Sequence, residues 1–491
     1  MTPRTTWLGP VIPLGLYLVL AVLLDTGTGN WDGVRYAEAA FAWNDDFPYL
    51  GDTHWALRHP LVMPMAASLG AFGPSTFALM LPNLIYGAAL ILATHFFASR
   101  ALGNRAAFLV TVLVATSPSL VLRPLEIEVR GPEVFFAAMS LWVFLRAADD
   151  APAKPIGFVL SGVFAGLSWL CRESAGYLVP ALFFAAVFLA AYGDRLRALL
   201  STAAGFGLVI ACELVTYALI AGDAFYRYKI DLGHGGNPDE HGLAADLVRA
   251  DYADWLLEPF QRLLRTDVQG ALALIVLAAV VYAFRRRARF SKAQIKVMVL
   301  FGTAGALSLA FSGLLLSLEL PRYYPMLIYA GCVIVGVVLA HLVRGRSHLP
   351  GFAFAASMAC AGFVLAEYRA DYTKRVVGAG AVLAQRSEVP FHADPRIGSR
   401  ITVALRLEGM SARDAEARVH ATGRETLEEG DLVLHFEADR WEPKPGWQPV
   451  DSVAVPWKLS HRLLRKALPD ALLPDRLHGA SLRAATLYRV Q

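Results

Sequence analysis

The stretch GNWDGVRYAEAAFAW, Gly29 to Trp43, follows closely on the apolar run VIPLGLYLVLAVLL, Val11 to Leu24. The chain leaves a greasy environment and at once presents a carboxylate, Asp32, and a phenol, Tyr36, at helical spacing. Ala37, Ala39 and Ala40 let such a helix lie close to its neighbours. An acid on a wet loop is commonplace. An acid at a membrane boundary is costly and often functional. The apolar run has only Arg4 ahead of it and no small-residue cleavage site behind it, so it reads as a retained first span.

The composition carries the same message outward. The 491 residues are 56% hydrophobic with a mean hydropathy of +0.45, and 18% are charged, against the ~25% usual in soluble domains. That indicates an integral membrane protein. The net charge of +4 gives no sign of a nucleic-acid partner. Cys171, Cys212, Cys332 and Cys360 fall in or at the ends of apolar runs, with neither metal spacing nor a disulfide framework, and read as small packing residues.

Runs long enough to span, or nearly so, cover 8–24, 77–97, 106–121, 132–146, 156–171, 177–192, 198–221, 268–284, 297–318, 323–343 and 350–366, about eleven helices in all. With the N-terminus inside, the cytoplasmic loops carry Arg100, Arg105, Arg146, Lys154, Arg195, Arg197, the run RRRARFSK from Arg285, Arg344 and Arg346. The opposite loops are richer in acids, Asp32, Glu128, Glu133 and Glu173 among them. Outer-side loops are then expected at 25–76 and 222–267, the latter with an interfacial amphipathic helix bearing Leu247, Trp255, Leu256, Phe260 and Leu264. A tail over 368–491 is expected to form a small extracytoplasmic α/β domain, leaving 1–367 as the transmembrane domain. RITVALRL, GDLVLHF and AATLYRV read as strands and SARDAEARVHA as a helix.

Four further segments gather charge on the outer side. In HWALRHPLVMPMAASLGAFG, Arg58 and His59 precede Pro60, which can open a helix. Cations beside a helix N-terminus suit an anion; Arg58 could equally snorkel to lipid headgroups. LRPLEIEVRGPEVFF holds Arg123, Glu126, Glu128, Arg130 and Glu133, where Glu126 and Arg130 are spaced for a local pair. Arg172 and Arg322 stand at span ends, as interfacial anchors also do. No Walker loop, dinucleotide fingerprint, nucleophile elbow or zinc motif occurs in a credible context, so the chemistry falls to acids, arginines and histidine.

Four segments in order over about 12–340 resemble those of GT-C fold glycosyltransferases, the protein O-mannosyltransferases and lipid A aminoarabinose transferases (glycosyltransferase families 39 and 83). WDGVRYAEAA is similar to their first-loop signature. RHPLVMPM is similar to their Lys-Pro-Pro-Leu segment, with Arg58 at the basic position and His59 replacing the first proline. GLSWLCRESAGYL places Arg172 at the usual basic residue, and ELPRYYPM places Arg322 and Tyr323 on their late Arg-Tyr motif. Where the family often has an Asp before Pro-Leu-x-Phe-Phe, this chain has Arg130, leaving Glu128 and Glu133 as second-acid candidates.

The resemblance implies an α-helical polytopic membrane enzyme that moves a sugar, with inversion, from a polyprenyl-phosphate carrier to a hydroxyl of a lipid, glycan or protein at the outer face of the cytoplasmic membrane. Asp32 would be the catalytic base, supported by Tyr36, and Arg58, His59, Arg172, Arg322 and Tyr323 would hold the donor phosphate. No ligand spacing demands a metal, although a divalent cation is compatible with the outward carboxylates. A diphosphate-linked oligosaccharide ligase or polymerase is the near alternative. A transporter or flippase predicts internal repeats and midplane acids, and the sequence has no visible repeat. A non-catalytic scaffold would leave the first-loop residues free to vary.

Overall fold

A computed structural model describes residues 8–23, 31–117, 120, 127–150, 154–233, 267–312, 324–343, 376–422, 426–436, 444–454 and 484–491. The described helices up to residue 343 are α1 (Leu8–Leu23), α2 (Trp31–Asp45), α3 (His59–Phe72), α4 (Thr76–Leu102), α5 (Asn104–Thr116), α6 (Arg130–Asp149), α7 (Pro155–Cys171), α8 (Leu178–Phe188), α9 (Arg195–Ala221), α10 (Tyr226–Gly233), α11 (Asp267–Arg285), α12 (Lys292–Ala310) and α13 (Pro325–Leu342). A 3-10 turn, Glu173–Tyr177, joins α7 to α8.

Ten of the eleven expected spans fall on these helices; 350–366 lies outside the described residues, as do the amphipathic helix expected at 244–264, Arg322 and Tyr323. Among the described helices, five are long and apolar enough to cross a membrane: Thr76–Leu102, Arg130–Asp149, Tyr192–Ala221, Lys292–Ala310 and Pro325–Leu342. Shorter apolar helices lie between them, such as Asn104–Thr116 and Pro155–Cys171. The exposed faces of the long helices α4 and α9 carry Ile85, Leu200, Leu208 and Leu219, which is the pattern of a surface facing hydrocarbon rather than water.

Local signals set several helix ends. Ser75 caps α4 by accepting from the Ala78 amide at 3.2 Å. Ser291 and Gln294 form a reciprocal capping box on α12. Pro60 opens α3, as its position predicts. Small residues let α7 and α9 meet backbone to backbone: a Cβ on Gly162 would stand 2.0 Å from the Thr202 carbonyl oxygen, and one on Gly205 2.0 Å from that of Val159. The basic ends of alternate helices come together at one end of the bundle. There Lys296 pairs with Asp149 at 2.8 Å, and Arg105 donates to the Val343 carbonyl at 3.2 Å.

The tail forms a five-stranded sheet in the order β2-β1-β3-β5-β4, with β1 (Phe391–Ala393), β2 (Val419–Ala421), β3 (Leu432–Phe436), β4 (Gln448–Ala454) and β5 (Ala484–Arg489). Strands β2, β1 and β3 run parallel, while β5 is antiparallel to β3 and β4. The described helices here are α14 (376–386), α15 (Pro395–Leu407) and α16 (Ala412–Arg418).

GDLVLHF and AATLYRV supply β3 and β5 as expected, but RITVALRL is the body of α15, not a strand. Asp394 caps that helix by accepting from the Arg396 amide at 3.0 Å, and Pro395 sits in its first turn. SARDAEARVHA divides: Ala412–Arg418 is helical and Val419–Ala421 forms β2. Among the described residues, two large hydrophobic clusters stand beside a small third around Leu109. Of the large ones, one fills the helical bundle, and the other lies between the sheet and its helices around Phe391, Ile401, Leu405, Leu434 and Leu487.

Candidate active site

Opposite the basic end, the start of α2, the turn before α3, the start of α6, the 3-10 turn after α7, the end of α9 and α10 converge. Their polar side chains form one largely buried cluster. Asp32 stands in the first turn of α2, half-buried, and its Oδ1 accepts from the Trp55 indole N–H at 3.2 Å. One turn on, the Tyr36 side chain is buried and its hydroxyl accepts from Arg58 Nη1. Burial pushes the Tyr36 phenol up to about 12 despite the Arg58 charge beside it, so it keeps its proton at neutral pH. Burial opposes the charge on Arg58, yet Tyr36, Glu173 and Asp231 around it hold its guanidinium above its usual pKa. Arg58 is therefore a fixed cation adjoining the phenol that follows Asp32.

Arg172 ends α7 at 9% exposure, and its charge acts on Tyr36 and on Glu133. The two second-acid candidates part here. Glu128 is neutralised by Arg130 at 2.7 Å, with both side chains buried. Glu133 is 2% exposed, lies within the field of Arg172, Arg130 and Arg58, and its Oε2 has no hydrogen-bond partner among the described residues. Glu133 is thus the acid that faces the arginines. His59 points elsewhere. It bonds the Tyr217 hydroxyl at 3.2 Å, stacks on that ring, and meets Trp43 edge-on. Burial, with the Arg227 charge nearby, pushes its imidazole down to about 4, so it is neutral at pH 7.

The residue at the centre of the cluster sits in no recognisable sequence motif. Arg227 on α10 is 1% exposed and bonds Glu213 at 2.7 Å, Asp231 at 3.2 Å, the Trp169 carbonyl at 3.3 Å and Glu173. Glu213 also accepts from the Tyr228 hydroxyl at 3.1 Å. A signal was available: Glu213 is the lone charge in the apolar run 198–221, and an ionisable residue inside a span marks a site by default. Among the described residues no group of three or more His, Cys, Asp or Glu is placed to hold a metal ion.

Asp231 and Glu173 share a hydrogen bond. Burial, with the Glu173 carboxylate alongside, pushes the Asp231 carboxyl from 3.8 up to about 7. A raised folded-state pKa means the native chain binds the proton more tightly than the unfolded chain. That contribution is complete below about 4 and is lost as pH rises through about 7. Asp231→Asn mimics the protonated form, so it should flatten the decline in melting temperature between about pH 5 and about pH 8. An unchanged slope in the variant would assign the decline to another group.

The profile described as dolichyl-phosphate-mannose-protein mannosyltransferase matches residues 58–219. No curated protein matches the chain. Among solved structures, ArnT from Cupriavidus metallidurans in the apo state is similar at 14% identity and a TM-score of 0.54, with 100% of this chain and 99% of that one covered. The apo Archaeoglobus fulgidus oligosaccharyltransferase is similar at 15% identity and a TM-score of 0.53, with 87% of this chain covered. Archaeoglobus fulgidus AglB, in complex with an inhibitory peptide and a dolichol-phosphate, is similar at 16% identity and a TM-score of 0.50, with 83% covered. The chain spans 65% and 64% of the length of these two archaeal proteins. The fold is that of ArnT and AglB, the GT-C fold, with five described helices long and apolar enough to cross a membrane and a small sheet.

Proposed function

We propose that this chain is an inverting glycosyltransferase that moves a sugar from a polyprenyl-phosphate carrier to an acceptor hydroxyl at the outer face of the cytoplasmic membrane. The carrying observation is the pairing of Asp32, held by Trp55, with the buried Arg58–Tyr36 contact at one end of the bundle. A carrier whose tail stays in the bilayer brings its phosphate to such a level. Arg58 and Arg172 would hold that phosphate and stabilise the charge it gains as the glycosidic bond breaks. The acceptor oxygen attacks the anomeric carbon from the opposite side as Asp32 takes its proton, which inverts the centre. Tyr36 transmits Arg58's position to the helix that carries the base. Glu133 is the second acid, facing the Arg172 and Arg58 guanidiniums while Arg130 pairs with Glu128. The dolichol-phosphate complex of Archaeoglobus fulgidus AglB supports a polyprenyl carrier of this kind.

The purified full-length protein should release polyprenyl phosphate from a polyprenyl-monophosphate sugar when offered envelope lipids or glycans. Consumption of a diphosphate-linked oligosaccharide alone would move the assignment to a ligase. Mass spectrometry of envelope lipids and glycans with and without the gene would then identify the acceptor. Because the site, α2 and the C-terminal sheet share one side, a reporter active only in the cytoplasm should be silent when fused after Gln491. Activity there would overturn the proposed orientation.

A further inference from the structure

Helix α15 has two buried faces. Ile397, Ile401 and Leu405 point into the sheet's own core, whereas Val403, 1% exposed, belongs to the hydrophobic cluster of the helical bundle, and Leu407 packs against that cluster. On the bundle side, the Arg406 guanidinium lies 4.0 Å from the centre of the Phe41 ring and pairs with Asp45 at 2.6 Å. The charges of Arg406 and Glu416 also act on Glu38. Phe41, Asp45 and Glu38 all belong to α2, the helix that begins with Asp32.

The faces of α2 follow from its pitch. At 3.6 residues per turn, Asp32 and Tyr36 share one face, and Phe41 and Asp45 share the face roughly opposite. The first face meets Trp55 and Arg58, and the second meets Arg406. This short helix is therefore held between α3 on one side and α15 on the other.

We infer that Arg406 and Val403 make α15 a clamp on the back of α2, so that the C-terminal sheet fixes the position of Asp32. This rests on the glycosyl-transfer reading for its consequence, though not for the clamp itself. Arg406 is a positioning residue that touches neither donor nor acceptor. A planar guanidinium can stack on Phe41 and pair with Asp45 together, which an ammonium cannot. Release of the clamp would let α2 rock about its contact with α3, and a base displaced by about 1 Å loses much of its effect.

The test compares the full-length protein with Arg406→Ala, Arg406→Lys and Asp45→Asn. Hydrogen exchange reads the clamp without any substrate. Amides of α2 should exchange about tenfold faster in Arg406→Ala, with smaller rises in the other two variants. Unchanged α2 exchange in all three would overturn the clamp. In transfer assays kcat should fall about tenfold in Arg406→Ala while donor KM stays within about twofold. Faster exchange with unchanged kcat would overturn the positioning role. If wild type transfers no sugar and α2 exchange still rises, the clamp stands and the glycosyl-transfer reading falls. Should Arg406→Ala fail to fold, the Lys and Asn variants decide through the same exchange measurement.

Discussion

Asp32→Asn is expected to lower kcat by roughly 10²-fold or more while leaving folding and donor affinity near those of wild type. Asn keeps the shape of the side chain and still offers an oxygen to the Trp55 indole at Oδ1, so the local packing survives. What it cannot do is accept a proton. Glu at this position should recover little, because the extra methylene moves the carboxylate by about 1 Å or more away from the acceptor. If Asp32 served only the first turn of α2, Asn would cost about 1 kcal/mol or less of stability and turnover would stay normal. Donor binding and turnover measured on the same purified variant separate the two. Tight binding with turnover above about a tenth of wild type would remove Asp32 from the mechanism. Arg58→Ala provides the contrast. It should weaken the hold on the phosphate in both ground and transition states, raising donor KM as well as lowering kcat, with Arg58→Lys rescuing in part.

Arg227→Met is expected to produce the largest loss of stability of any single change in the cluster. The guanidinium is 1% exposed and bonds Glu213, Asp231 and Glu173 at once, and the Glu213 side chain is itself 3% exposed. Methionine fills the volume but leaves Glu213 buried without its counter-charge. Breaking a buried pair from one side costs about 3–5 kcal/mol. Arg227→Lys should recover only part, since a point charge cannot engage three carboxylates in a fork. The double change Arg227→Met with Glu213→Gln should recover more than the lysine, because it removes the stranded charge itself. Thermal unfolding of the four proteins in one detergent checks the order. A loss under about 1 kcal/mol for Arg227→Met would mean that water reaches the cluster and screens it.

Asp32 and Arg227 differ in how far their sequence neighbours announce them. Asp32, Tyr36 and Arg58 were legible because each follows or precedes an apolar run at a spacing with a physical meaning, and the structure brings all three together. Arg227 was not. In YRYKIDLG it reads as one charge in a polar loop, and nothing local says that α10 folds back to meet Glu213 and Glu173. His59 shows the converse. Its place beside Arg58 suggested a second cation, but a side chain's neighbour in sequence need not share its direction, and His59 turns into the Tyr217 and Trp43 rings.

Local chemistry alone determined the membrane class, the helical state of ten expected apolar runs, the opening of α3 at Pro60 and the side on which the acids gather. Hydrophobic length and charge at span ends are properties of the segment itself. Tertiary structure decided which acid faces the arginines, because Arg130 is spent on Glu128 and leaves Glu133 exposed to the site's charge. It also decided the state of RITVALRL. The alternation Ile401, Val403, Leu405, Leu407 has the period of a strand when one buried face is assumed. The same alternation suits a helix buried on two opposite faces, and α15 has them, with Ile401 and Leu405 in the sheet's core and Val403 in the bundle's. A segment cannot announce how many cores it will serve, since that number exists only once both cores have formed around it.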